Sequence, residues 1–283
     1  MSRVFHPAKH HYHNFAVTRT VPSSFATASI SKYASSDAPI SLDLARSQHQ
    51  EYVNIVRSVV PTIRLPTVEE HPDCVFVEDT VVAVNNRAVI TQIGHVSRQG
   101  EETDIRLVLE QLGMEVWDMK SMNDQATCDG GDVLNTGRHM FVGLSDRTNQ
   151  EGAKVLAEAF STSQFPVLPV PLDTDNTLHL KSVITHLDER TLLAPTGPLG
   201  DAVLLEMDAE SLGYTVLRLP DVRACNVVVV NGTVIGSTSS CEESQQILRQ
   251  ATEERKLSLQ LVGTSEIEKS DGACTCCSVL LSL

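Results

Sequence analysis

Positive charge is scarce in this sequence: 22 Lys and Arg stand against 36 Asp and Glu, a formal net charge of −14 over 283 residues. A basic footprint for nucleic acid or anionic lipid is therefore absent. No apolar run approaches the ~18 residues that cross a bilayer. The opening MSRVFHPAKHHYHNF lacks the apolar core of a secretion signal, and the closing SVLLSL is too short for an anchor. Seven cysteines, an odd count without an export signal, favour free thiols in a reducing cytosol over a disulfide framework. The expected location is cytoplasmic. No linker or low-complexity tract divides the chain, and one domain over residues 1–283 is expected. The Ser-rich stretch 24–39 is the exception and reads either as a lid or as a surface loop. The acidic balance would steer a cationic small molecule and equally serves solubility.

What the sequence does have is a period. A polar residue recurs every 46 to 51 positions beside a short apolar strand and changes identity each time: Glu78, Asp129, His179, Cys225 and Cys276. A fixed period of this size indicates stacked or radially arranged repeats. Helical spacing marks 42–57, 101–112, 150–160, 198–212 and 241–255, the last opened by a Ser240–Glu243 capping-box pattern. An extended stretch follows each helix, at 62–66, 114–119, 165–170, 215–220 and 257–263. Hairpins are predicted at 81–91, 133–143 and 227–236, the last around an Asn231-Gly232 turn. Strands mixed with helices exclude an all-β propeller of kelch type and predict αβ modules around a pseudo-symmetry axis. An initial hairpin (AVTRTV) and the final strand (SVLLSL) read as two halves of one module whose union would close the ring and remove a sheet edge.

The recurring residues carry chemistry, each beside a plainer reading. Cys276 opens Cys276-Cys277-Ser278 ahead of an apolar strand. A nucleophilic thiol needs access and a lowered pKa, which a strand end at a ring centre could provide; most cysteines are instead buried and inert. Cys274, Cys276 and Cys277 lack the spacing of structural zinc sites. His179, between two leucines, is either a core histidine or the proton donor that a thiol enzyme needs. Asp129-Gly130-Gly131-Asp132 is either a capped turn or the carboxylate that orients His179. Asp73, Glu78 and Asp79 are solvated surface charge or a clamp for a cation, and a guanidinium suits them because its planar fork matches carboxylates. Arg98 and Arg147 could hold a substrate carboxylate. His6, His10, His11 and His13 are assigned no site.

These residues lie in the segments PDCVFVEDTVVAV, ATCDGGDVLNTGR, FVGLSDRTNQEGA, LHLKS and DGACTCCSVL. Through them the chain resembles, nearly end to end, the dimethylarginine dimethylaminohydrolase family of the guanidino-modifying (pentein) superfamily. The resemblance implies a five-bladed αβ propeller of pseudo-symmetric ββαβ modules. It implies Cys276 as nucleophile, His179 as acid and base, and Asp129 as its orienting carboxylate. Asp73, Glu78 and Asp79 would bind the substrate guanidinium, and Arg98 and Arg147 its α-carboxylate. Backbone carbonyls at Ile30 and Ser270 would take the α-amino group, although the family has Leu and Val there. The stretch 172–177 before His179 is longer than usual for the family. The activity implied is hydrolysis of mono- or dimethylated arginine to citrulline through a Cys thiouronium. No cofactor is implied; zinc captured by Cys276 with His179 would inhibit. The implied partner is the small-molecule substrate, with no nucleic acid or membrane, in a monomer or homodimer. The rivals are an arginine deiminase-type hydrolase, whose extra helical insertions 283 residues hardly allow, and a non-enzymatic zinc- or redox-responsive binding protein.

Overall fold

A computed structural model describes residues 12–28 and 38–283. Ile30, most of the Ser-rich stretch, and His6, His10 and His11 lie outside the described residues. The chain forms five three-stranded sheets. In each, an antiparallel pair (a hairpin in four of the five) leads into a helix that returns a third strand parallel to the middle one. Module 1 pairs β1 (Phe15–Arg19) with β2 (Thr62–Leu65) across α1 (Leu42–Val59). Module 2 runs β3 (Val81–Val84), β4 (Arg87–Ile90), α2 (Thr103–Gln111), β5 (Glu115–Asp118) and the one-turn α3 (Met119–Met122). Module 3 comprises β6 (Val133–Asn135), β7 (Met140–Leu144), α4 (Gln150–Phe160) and β8 (Val167–Pro171). Module 4 has β9 (Thr185–Asp188), β10 (Thr191–Pro195), α5 (Pro198–Glu206) and β11 (Thr215–Leu219). Module 5 has β12 (Val228–Val230), β13 (Thr233–Ser237), α6 (Glu242–Glu254) and β14 (Ser258–Val262). The short α7 (Ser265–Glu268) then leads to β15 (Val279–Leu281), which pairs antiparallel with β1, Phe15 opposite Leu281. The first and last strands thus share module 1, and the five-module αβ propeller expected from the repeat is the fold. The stretch AVTRTV is one strand of that module, not a hairpin.

The middle strands are mostly apolar because both faces are covered; every residue of β4 and β10 is buried, Arg87 and Thr191 included. The third strands, on the sheet edges, alternate and are half exposed, as in β14. The five apolar clusters each straddle two neighbouring modules. Val17, Leu65 and Leu281 of module 1 pack with Ile90, Ile105 and Leu109 of module 2. Leu134 and Phe141 of module 3 pack with Leu192 and Val203 of module 4. A turn helps to seal the ring. Asn231 (φ 44°) and Gly232 (φ 85°) make the two-residue reversal their identities predict. The Asn231 side chain then clasps the His13 backbone, accepting its N–H at 2.8 Å and donating to its carbonyl at 2.9 Å.

Some expectations need correction. The Ser240–Glu243 capping box does not form: Ser240 donates to the Ser237 carbonyl, and Cys241 stands at the cap with no side-chain cap bond. The fourth helical stretch, 198–212, ends as helix at Glu206, two residues before Asp208 takes a left-handed φ of 50°. The β9–β10 hairpin escaped notice because its turn residues, Glu189-Arg190, carry none of the usual turn signals. Among the described residues no helix is long and apolar enough to cross a membrane.

The closing strand sets a stability test. Leu281 is fully buried, whereas Leu283 is 46% exposed. Leu281→Ala should cost about 2–5 kcal/mol in urea unfolding, and Leu283→Ala no more than about 0.5 kcal/mol. Equal losses would contradict a closed ring.

Candidate active site

Each recurring polar residue belongs to, or caps, a single 3₁₀ turn that enters its module's first strand. The turns are Val77–Thr80, Gly130–Asp132, Leu180–Ser182, Val222–Cys225 and Thr275–Cys277. They pack in sequence around the axis, the last against the first. Beneath them runs a circuit of hydrogen bonds. Lys181 Nζ donates to Glu78 Oε1 at 2.5 Å, and Thr275 Oγ1 donates to Glu78 Oε2 at 3.0 Å. Asn226 accepts the Thr275 N–H at 3.0 Å and donates to Thr275 Oγ1 and, at 2.9 Å, to the Lys181 carbonyl. Glu78 is thus a buried ion-pair partner at the axis. Burial still raises its pKa; Lys181 opposes that shift and Asp79 adds to it.

His179 caps its turn and is 7% exposed. Its Nε2 lies 3.1 Å from Asp129 Oδ2, and Asp129 Oδ1 accepts the Gly94 N–H at 2.8 Å. Burial disfavours the imidazolium, but Asp132, Asp79 and Asp129 together outweigh it and raise the His179 pKa to about 9. Gly131 makes this packing possible. A Cβ there would stand 2.6 Å from His179 Nδ1 and 3.0 Å from Asp79 Oδ1. Gly130 is equally constrained, since its Cβ would fall 2.0 Å from the Glu78 carbonyl oxygen.

Asp79 is buried and accepts from Arg98 at 2.6 Å and from the Gly131 amide at 2.8 Å. Burial opposes its ionisation, yet Arg98, His179 and that amide hold its carboxyl below the usual range. Arg98 is not an open guanidinium. Four of its five N–H groups go to Asp79, Glu101 and the Phe76 carbonyl, with Glu101 gripped at 2.8 and 3.0 Å. Glu101, 1% exposed, is a partner that sequence reasoning missed. Asp73 is half-buried, its carboxyl raised by burial against the pull of Arg98 and Arg147. Arg147 is half-buried. Ser270 is half-buried at the start of the loop to Cys276, its N–H bonded to the Ile267 carbonyl.

Cys276 is partly exposed in its turn, beside the buried Cys274 and Cys277. Burial pushes its thiol pKa up, and the nearby Glu78 and Asp79 add to the shift while Lys181 opposes it. The lowered thiol pKa that a ring-centre position could provide is therefore not a property of the resting site, because the thiol is buried and the turns around it carry more carboxylates than cations. Asp79, Asp129 and His179 bring ligand atoms within 4.8 Å of one another, a group of which Cys276 is not a member. Their charges are already matched by Arg98 and by the His179–Asp129 contact. Cys225, the silent member of the period, is fully buried among Leu187, Leu219 and Val234. Its neighbour Asn226 does the structural work at that position.

Comparison with known proteins follows the same lines. The arginine deiminase family matches residues 65–210. A dimethylarginine dimethylaminohydrolase of Streptomyces coelicolor is 34% identical, covering 78% of this chain and 79% of its own. A human protein described as the putative hydrolase DDAH2 is 30% identical over 94% of this chain and 93% of its own. The crystallised Pseudomonas aeruginosa dimethylarginine dimethylaminohydrolase, a cysteine-to-serine variant complexed with citrulline, superposes with a TM-score of 0.80 at 26% identity, covering 95% of this chain and 99% of that one.

The electrostatics can be measured directly. An NMR titration of His179 should show the imidazolium persisting at pH 8 and deprotonating near pH 9. Gly131→Ala, by displacing the ring, should move that midpoint down toward the unperturbed 6.5. Because the folded pKa lies above the unfolded one, this group's contribution to stability is full below about pH 6.5 and is lost as pH rises through about 9. A midpoint at or below 6.5 in the unmodified protein would contradict the carboxylate cluster.

Proposed function

The chain belongs to the dimethylarginine dimethylaminohydrolase family, and we propose that it hydrolyses ω-methylated arginine to citrulline and the corresponding methylamine. The observation that supports this most is the convergence of the Cys276 turn, the His179–Asp129 pair and buried carboxylates at one end of a closed ring. Asp73 and Asp79 are assigned to the guanidinium, with Glu78 supporting them from the axis. Arg147 is assigned to the α-carboxylate, together with the one N–H that Arg98 has left. The carbonyls of Ser270 and Ile30 are assigned to the α-amino group. One chain supplies the whole set, so a monomer or a homodimer would serve.

The resting thiol is neutral and His179 is protonated at pH 7. A bound guanidinium adds positive charge beside Cys276 and so favours its thiolate, the thiol proton passing to solvent. Sγ then attacks the guanidinium carbon. The C–N bond to the dimethylamino group breaks as the leaving nitrogen takes the proton from His179. A thiouronium remains on Cys276. Neutral His179 next removes a proton from water and the hydroxide adds to the same carbon. The C–S bond then breaks, the hydroxyl proton passing to the departing sulfur, and citrulline is released with Cys276 and His179 back in their resting states. The scheme calls for no cofactor.

Purified protein given asymmetric dimethylarginine should form citrulline and dimethylamine, with little ammonia from arginine as control. Ammonia release from arginine at a comparable rate would favour a deiminase. Cys276→Ser should lower kcat by roughly 10⁴-fold or more, and His179→Ala should abolish turnover beyond any change in KM. Near-native kcat in either variant would remove that residue from the chemistry.

A further inference from the structure

Asp132 lies one turn from the acid–base pair and has no part in the scheme above, yet it is completely buried. Its Oδ1 accepts the N–H of Leu180, the residue after His179, at 3.0 Å. Its Oδ2 accepts from Ser145 Oγ at 2.6 Å and Thr148 Oγ1 at 2.7 Å. Those two hydroxyls flank Arg147. Ser145 Oγ accepts the N–H of Arg147 at 3.0 Å and of Thr148 at 3.2 Å. Thr148 Oγ1 accepts the N–H of Asp129 at 3.1 Å.

A hydroxyl has one proton and two lone pairs. Backbone amides use both lone pairs of Ser145 Oγ, so its proton points at Asp132 Oδ2. Thr148 Oγ1 accepts one amide and donates its proton to the same carboxylate oxygen. With the Leu180 amide, three donors converge on this side chain. Acceptors on both oxygens satisfy them, which is the property of an ionised carboxylate. Backbone packing leaves little slack: a Cβ at Gly143 would fall 2.9 Å from both Asp132 Oδ1 and Leu180 Cβ.

We propose that Asp132 is a positioning residue that locks the His179–Asp129 pair and the Arg147 loop at a fixed separation, so that gripping the amino-acid end of the substrate sets its reacting carbon against the acid. The inference rests on the hydrolase reading above. It makes the substrate's α-carboxylate a determinant of chemistry as well as of binding, because the loop that holds it shares one carboxylate with the residue next to the acid.

The test uses two substrates, asymmetric dimethylarginine and an N,N-dimethylguanidine with an alkyl chain and no carboxylate. Asp132→Asn keeps the shape but turns an NH₂ toward one of the three donors. It should lower kcat by about 10²-fold on both substrates, the cost of misplacing the acid, and should also raise KM for dimethylarginine. Ser145→Ala loosens only the Arg147 side. It should lower kcat and raise KM for dimethylarginine, each by about two- to tenfold, and leave the carboxylate-free substrate unaffected, with Ser145→Thr restoring both. Should Asp132→Asn not fold, the Ser145 pair still decides. The inference is overturned if Asp132→Asn retains native kcat and KM, or if Ser145→Ala impairs both substrates equally. A wild-type chain that makes no citrulline from dimethylarginine would instead overturn the hydrolase reading itself.

Discussion

The circuit of Glu78, Lys181, Asn226 and Thr275 at the axis is the contact on which the site depends. It joins four of the five modules through side chains that water barely reaches. A buried ion pair contributes little net stability and is strongly destabilising when half of it is removed. Its value here is registry: each turn is held against its neighbour by partners with only one way to pair. The catalytic turns rest on it, so their relative positions are inherited from the axis and owe little to the surface loops.

Across the circuit and the turns joined to it the charges do not balance. Glu78, Asp79, Glu101, Asp129 and Asp132 are buried, against Arg98, Lys181 and a protonated His179. Such an excess of negative charge in a poorly solvated site costs free energy until a cation arrives. That imbalance accounts for the high pKa of His179 and the suitability of a guanidinium as the occupant, and it adds to the burial that keeps the Cys276 thiol from ionising. Under the proposed scheme it also separates readiness from reactivity, since the thiol would be activated by the substrate's own charge.

The repeat was legible in the sequence because each module needs the same alternation of apolar strand and amphipathic helix, and because the polar residue falls at one fixed point in it. Cys276, His179, Asp129 and Asp79 stood out as ring positions or their neighbours. Arg98's pairing with Glu101 was hidden, since only three-dimensional proximity tells an ion-paired arginine from one that awaits a ligand. Asn226 and Thr275 were passed over because a neutral amide or hydroxyl has no distinctive spacing. The Ser240 cap failed through competition, its hydroxyl finding a nearer carbonyl. The Glu189-Arg190 turn was missed because its residues are ordinary helix formers, and tertiary pairing of β9 with β10 overrides that preference.

Every apolar cluster is shared by two neighbours, and the pair that seals the circle joins Phe15 to Leu281. During synthesis, therefore, no module can complete its own interior from its own residues, and the β1 edge stays unpaired until nearly the whole chain is available. Contacts so distant in sequence are slow to form. Cys276 leaves the ribosome only a few residues ahead of the strand that closes the circle. The proposed nucleophile and the scaffold that positions it thus arrive together, and a nascent chain that stops short of β15 has a template edge for aggregation and an unclosed ring.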